Sequence, residues 1–106
     1  MSNFWKNLKD VIEYPKEGIL SKELLKTDRL NVTLFCLAAG TAISEHTSTR
    51  EGGVMVLEGR GVFNLRGEEI KMSPGVFIYL EKDAVHSLKA EANTSFLLML
   101  YQAALK

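Results

Sequence analysis

The two histidines, His46 and His86, are the side chains of this 106-residue chain best suited to chemistry. His46 lies in a polar stretch beside Glu45, and His86 follows an apolar run forty residues later. Imidazole is the commonest metal ligand and the one side chain whose ordinary pKa lies near neutral pH. If the protein has a chemical site, we expect it where these two stretches meet.

The strand pattern around His86 allows two interpretations. His86 alternates in step with Leu88 and Ala90, so it should point to the covered face of a sheet. There it is either a metal ligand or a neutral buried side chain whose ring nitrogens are hydrogen-bonded. The sequence has no His-x-His, His-x-x-x-His or Cys-x-x-Cys spacing, and two ligands alone leave a metal ion underprotected.

Other catalytic and binding signatures are absent from the sequence. Ser44, Ser48 and Ser87 lie near the histidines, but none occupies a Gly-x-Ser-x-Gly elbow, and no glycine-rich phosphate loop precedes a helical pattern. Lysine plus arginine equals aspartate plus glutamate at thirteen each, with no basic stretch. We therefore expect no nucleic-acid partner, since such binding depends on a basic surface.

The composition predicts a cytoplasmic domain without a membrane partner. The lone Cys36 lies in an apolar run and is expected to be a small buried hydrophobe. The polar start of the chain does not resemble a signal peptide. The longest uninterrupted apolar run, residues 96–101, is far shorter than the roughly 20 residues of a membrane span.

The elements that must position the histidines are predicted to be almost all strands. Residues 4–14 have short helical spacing that Pro15 ends, and we assign residues 1–18 to an N-terminal arm. Residues 19–106 form one barrel domain, with residues 40–53 as an irregular strand or loop. The predicted strands cover residues 19–27, 30–38, 54–57, 62–65, 69–72, 76–80, 85–90 and 94–101. Such a series is typical of an antiparallel sandwich or barrel.

The stretch around His46 resembles the first sequence motif of the cupins, small double-sheet jelly-roll barrels. That motif runs glycine, five residues, His-x-His, three or four residues, glutamate, six residues and glycine. Five residues separate Gly40 from His46, as the motif requires, and the last glycine of the motif falls on Gly59. Residues 54–61 are very similar to the strand and turn that end the motif.

The stretch before His86 resembles the second cupin motif, which runs glycine, five residues, Pro-x-Gly, two residues and histidine. Gly75 and His86 are in register with it, while Glu81 replaces the proline and Asp83 the glycine. The resemblance covers residues 19–101. It implies an all-β fold, a cupin-type double-sheet jelly-roll barrel with a short N-terminal arm.

The metal ligands of the family carry over only in part. His46 and His86 fall on the first and last ligand positions, whereas Ser48 stands at the second histidine position and Gly52 at the glutamate position. Glu51 is one residue away, although strand alternation argues that it points outward. The resemblance thus implies either a weak iron, nickel, manganese or zinc site on His46 and His86 with Glu51 as third ligand, or a pocket without metal.

Three functions are compatible with these residues. We favour a barrel that binds a small-molecule ligand in its interior, with His46, Ser48 and His86 as the polar groups that orient the ligand. The second hypothesis is a metal-dependent enzyme of the dioxygenase or isomerase type, which would need three protein ligands. The third is a structural or interaction module, because a fold alone does not assign a function.

The resemblance also implies a homodimer. Small cupins commonly pair through one sheet and exchange an N-terminal strand. The arm carries Phe4, Trp5, Leu8 and Val11, which have little to cover in a barrel this small. We therefore expect the arm to pack on a second subunit.

Overall fold

The computed structural model of the protein describes residues 5–102, and these form one short helix and nine strands. The helix α1 spans Leu8–Val11. The strands are β1 (Ile19–Lys26), β2 (Leu30–Leu37), β3 (Ala42–His46), β4 (Glu51–Glu58), β5 (Gly61–Leu65), β6 (Glu68–Met72), β7 (Phe77–Leu80), β8 (His86–Ala90) and β9 (Thr94–Tyr101). No helix in this part of the chain is long enough to cross a membrane.

The strands form two antiparallel sheets that face each other. The five-stranded sheet has the order β1-β2-β9-β4-β7, and the four-stranded sheet has the order β3-β8-β5-β6. Neighbours in the sheets are mostly distant in sequence, as in a jelly roll. The predicted all-β, double-sheet fold is confirmed, with one strand more than the sequence indicated, because residues 42–46 form β3.

Apolar side chains fill the space between the sheets. The buried core cluster comprises Leu37, Val54, Val56, Phe63, Met72, Ile78, Leu80, Leu88, Ala90 and Phe96. The strand period of two makes β2 contribute to both faces of its sheet: Phe35 stacks on Phe96 at 5.2 Å between ring centroids, and its neighbours Leu34 and Cys36 point away from the core yet are fully buried. The five-stranded sheet is therefore covered on both faces at its centre.

The N-terminal segment covers part of the outer face of the five-stranded sheet. Tyr14 donates a hydrogen bond to Glu58 over 2.6 Å, and its hydroxyl lies 3.0 Å from Ser95 Oγ. Burial and the bond to Glu58 raise the pKa of Tyr14 to about 12. Lys22 Nζ donates to the carbonyl of Val11 over 2.9 Å. Residues 11–14 thus lie against their own sheet, and Phe4 of the predicted arm lies outside the described residues.

Candidate functional site

Strands β3 and β8 bring the two histidines together. His46 and His86 are direct partners across this antiparallel pair, after an irregularity in register between Ile43 and His46. Their ring centroids are 4.1 Å apart and the rings meet edge to face at 61°. The two stretches that the sequence singled out therefore meet at one point of the four-stranded sheet.

The two imidazoles make the same local hydrogen bond. Nδ1 of His46 lies 2.8 Å from the carbonyl oxygen of Ser44, and Nδ1 of His86 lies 2.9 Å from that of Ala84. A carbonyl oxygen only accepts, so each Nδ1 must carry the hydrogen and donate it. In the neutral rings, both Nε2 atoms are consequently left with a free lone pair.

The two rings differ in exposure. His46 is exposed, whereas His86 is only 7% exposed and stacks on Phe63 at 5.7 Å between centroids, with the rings 6° from parallel. Burial lowers the pKa of His86; the hydrogen bond to Ala84 raises it, and the nearby His46 lowers it further. His86 is therefore neutral at neutral pH.

A cavity of about 270 Å³ between the sheets ends at the histidines. Its walls are apolar except for the two imidazoles, and among the described residues they carry no aspartate, glutamate, lysine or arginine. The lining consists of Ile19, Phe35, Ile43, His46, Val54, Phe63, Leu80, His86, Leu88, Phe96 and Leu98. Sequence patterns did not identify the aromatic lining residues, because they look like any other core position.

The structure does not bring Ser48 into this cavity. Ser48 belongs to the turn between β3 and β4, where its Oγ accepts a hydrogen bond from the backbone of Arg50 over 3.2 Å. Its carbonyl oxygen accepts another from the backbone N–H of Asp83 over 2.8 Å. In this structure, Ser48 stabilises the turn and is not among the residues that line the cavity.

Glu51 and Gly52 also provide no further metal-ligating side chain next to the histidines. Glu51 is exposed, and its carboxylate accepts a hydrogen bond of 2.7 Å from the hydroxyl of Tyr79 on the outer face of the five-stranded sheet. This bond raises the pKa of Tyr79. Gly52 pairs with Leu80 on β7, whose side chain lines the cavity, but it has no side chain of its own.

The residues present do not fit a metal centre with three protein ligands. Within residues 5–102, no group of three or more histidine, cysteine, aspartate or glutamate side chains is arranged to hold one. The two free Nε2 atoms are suitable ligands, but a catalytic centre of the oxygenase type needs three protein ligands. Glu51, the expected third ligand, instead lies on the outer face of β4, away from the histidines.

A second, more open cleft of about 760 Å³ lies at one end of the five-stranded sheet. Its walls include Arg50, Glu51, Tyr79 and Lys82 and neither histidine. It carries side chains of both charges, and the carboxylate of Glu51 is already paired with the hydroxyl of Tyr79. We therefore place the candidate site in the smaller cavity.

Comparisons with known proteins agree with this architecture. Residues 33–101 match the family model described as "Cupin domain", and the chain matches no curated protein. The fold is similar to a conserved protein of unknown function from Streptococcus pyogenes, with a TM-score of 0.85 and 23% identity over 95% of this chain and 89% of that one.

Two further solved structures have the same fold. A cupin superfamily protein from Desulfitobacterium hafniense gives a TM-score of 0.84 at 22% identity, covering 91% of this chain and 88% of that one. A cupin 2 conserved barrel domain protein from Leptotrichia buccalis gives 0.85 at 28% identity, covering 92% of this chain and 47% of the longer relative.

Proposed function

Because this chain belongs to the cupin domain family, we propose that it binds a small, mainly apolar molecule in the cavity between its sheets, without a resident metal. The observation that carries this proposal is the lining of the 270 Å³ cavity, which is apolar apart from His46 and His86. Binding sites for small molecules are typically apolar pockets with a few convergent polar groups. The two Nε2 atoms are those polar groups.

The second candidate is a metal-dependent enzyme, and one observation favours it. Metal-binding histidines usually donate their other N–H to a carbonyl or carboxylate, as His46 and His86 do to Ser44 and Ala84. The same bonds equally orient two imidazoles toward an organic ligand. We prefer the binding protein because Glu51 faces away and Gly52 offers no donor atom.

Elemental analysis separates the two candidates. The protein is purified without an affinity tag, as wild type and as the double variant His46→Ala/His86→Ala. We expect iron, nickel, manganese and zinc far below one ion per chain in both. Stoichiometric metal that disappears in the double variant would support the enzyme instead. A thermal-shift screen with small apolar molecules is the positive test, and a screen without any stabilising compound would favour a structural or interaction module.

We also propose that the chain forms a homodimer through the outer face of its five-stranded sheet. Beyond the N-terminal segment, this face presents the half-buried Met55, Leu97 and Met99, and the exposed Phe77 and Tyr79, at 55% and 54% exposure. The outer face of a free antiparallel sheet is normally polar. A second copy would remove this apolar surface from water.

Sedimentation analysis tests the dimer. Phe77→Glu should shift the protein toward monomer, because a carboxylate would be buried without a partner. Val85→Glu is the matched control, since Val85 is a similarly exposed apolar residue that directly precedes β8 of the other sheet. An unchanged dimer in Phe77→Glu, or a wild-type monomer at high concentration, would contradict the proposal.

A further inference from the structure

We propose that the cavity selects an uncharged molecule of one ring that donates a hydrogen bond, of which phenol is the simplest example. This inference rests on the proposed function, since it names the chemical class of the ligand for the same cavity. Three properties of the cavity support it: the position of the hydrogen on each imidazole, the absence of lysine and arginine from the walls, and the volume.

The imidazoles act as acceptors toward the cavity. Both Nδ1 atoms are committed as donors, to Ser44 over 2.8 Å and to Ala84 over 2.9 Å. A neutral imidazole has one N–H, so both Nε2 atoms accept. A polar ligand atom that contacts these Nε2 atoms must be a donor. A buried polar group without a partner would lose the stabilisation that it had in water.

The walls disfavour a ligand with a negative charge. None of the residues lining the cavity is a lysine or an arginine, so a carboxylate or phosphate would enter an apolar space without a permanent counter-charge. Charge on His86 is itself opposed by burial, since only 7% of this residue is exposed. A carboxylate would thus meet the lone pair of the neutral His86 ring.

The volume and the walls suit a single ring. A cavity of about 150 Å³ in another protein holds benzene, so about 270 Å³ accommodates one ring with a short substituent. Phe35 and Phe96 form one wall as a stacked pair, and Phe63 lies behind His86. Aromatic rings pack favourably against such side chains in offset or edge-on arrangements.

One of the two acceptors is solvent-exposed as well as part of the cavity lining. Of the lining residues, His46 and Ile19 are exposed, the latter by 44%. A ligand entering here would pass His46 first and reach His86 deeper in the barrel. The hydroxyl of the ligand is therefore expected to donate to one of the two Nε2 atoms, with its ring toward Phe35 and Phe96.

The test compares three probes of nearly equal size at pH 7.5, namely phenol, toluene and benzoate. Binding to wild-type protein is followed by two-dimensional NMR titration, which also reports where each probe binds. Phenol should bind about fivefold more tightly than toluene, the effect of one net hydrogen bond of about 1 kcal/mol. Benzoate should bind at least tenfold more weakly than phenol, because its charge enters an apolar cavity.

Variants with a ring but no acceptor assign the preference to the histidines. His86→Phe and His46→Phe should each reduce the preference for phenol over toluene while toluene binding persists. His46 is exposed, so its variant remains informative if His86→Phe does not fold. Nitrogen-15 spectra of the imidazoles give a direct check, since both rings should carry their hydrogen on Nδ1.

The outcomes separate the two levels of the proposal. If toluene binds in the cavity as tightly as phenol, or if either ring carries its hydrogen on Nε2, the inference about the ligand class is wrong and the binding function stands. Tighter binding of benzoate would likewise overturn the class alone. If none of the probes perturbs the residues of the cavity, both the class and the proposed binding function fail.

Discussion

The two halves of the first cupin motif behave differently in this molecule. The first half ends at His46 on β3, whose ring lies at the cavity and touches that of His86. The second half lies at the start of β4, where Glu51 turns outward to Tyr79 and Gly52 presents no side chain. The first half of the motif thus contributes a side chain to the candidate site, whereas the start of β4 in the second half contributes none.

The difference shows that spacing along the chain does not place a ligand unless the strand register agrees. Successive side chains of a strand point to opposite faces, so moving a residue by one position reverses its direction. Glu51 is one residue from the ligand position and therefore lies outside the cavity. A glutamate at position 52 would face inward, as Leu80 on the paired strand does.

The largest expected effect comes from filling position 52. A Cβ atom built on Gly52 collides with the backbone carbonyl oxygen of Met99 on β9, so the two central strands would have to move apart. We expect Gly52→Ala to lower the free energy of unfolding by about 3 kcal/mol, as overpacking does. Gly52→Glu, which would supply the family's carboxylate, should then destabilise the fold without creating a metal site. Urea denaturation and elemental analysis measure these effects.

Gly53 provides the matched control on the opposite face of β4. A Cβ atom at this position would lie 2.6 Å from the ring of Phe77, a side chain that is 55% exposed in the single subunit and can shift more easily than the backbone can. Gly53→Ala should therefore cost about 1 kcal/mol. Equal stability of Gly52→Ala and wild type would show that β4 can accept an inward side chain. Close packing of β4 against β9 would then not explain why the second half of the motif lacks one.

An intermediate effect is expected from the titration of His86. Burial lowers its pKa in the folded state, so the unfolded state binds the proton first as the pH falls. The contribution to stability is complete above about pH 6.5, the ordinary pKa, and is lost as the pH falls through the lowered pKa of the folded state. The thermal midpoint of wild type should therefore decrease as the pH falls across this range.

Substitutions at the two rings locate this pH dependence. His86→Phe should flatten the dependence between pH 7.5 and 5.5, whereas His46→Phe should retain most of it because His46 is exposed. Differential scanning calorimetry of the three proteins in the same buffers makes the comparison. If the thermal midpoint were independent of pH in His46→Phe but strongly dependent on pH in His86→Phe, the pH dependence would belong to His46.

Much of the fold and part of the site could be predicted from the sequence. The alternation of apolar residues in β2 and β8 and the two glycine-bounded motifs predicted a double-sheet barrel, and strand order brought His46 beside His86. Strand β3 was not predicted as a regular strand because Ala42, Ser44 and Glu45 are all exposed. β3 pairs with β8 through backbone hydrogen bonds, and such bonds leave no apolar pattern in the sequence.

The unpredicted parts depend on contacts between distant segments. Ser48 was expected in the pocket, but its position is fixed by a hydrogen bond from Asp83, thirty-five residues away. The packing of the N-terminal arm on a second subunit stays a prediction, and the contact of Tyr14 with Glu58 and Ser95 of its own sheet was not foreseen. Local patterns carry no information on such pairings.

The smallest expected effect concerns Glu51, the residue that separates the two interpretations of the motif. Glu51→Gln removes the charge that accepts the hydrogen bond of 2.7 Å from Tyr79, so the raised pKa of Tyr79 should return toward its ordinary value near 10. The phenol affinity of the cavity should not change, because this carboxylate lies on the other face of β4. Carbon-13 NMR of labelled tyrosine follows the titration, with His46→Phe as the control that weakens phenol binding. Equal weakening of phenol binding in Glu51→Gln and His46→Phe would place Glu51 in the site after all, and the two halves of the motif would then act together.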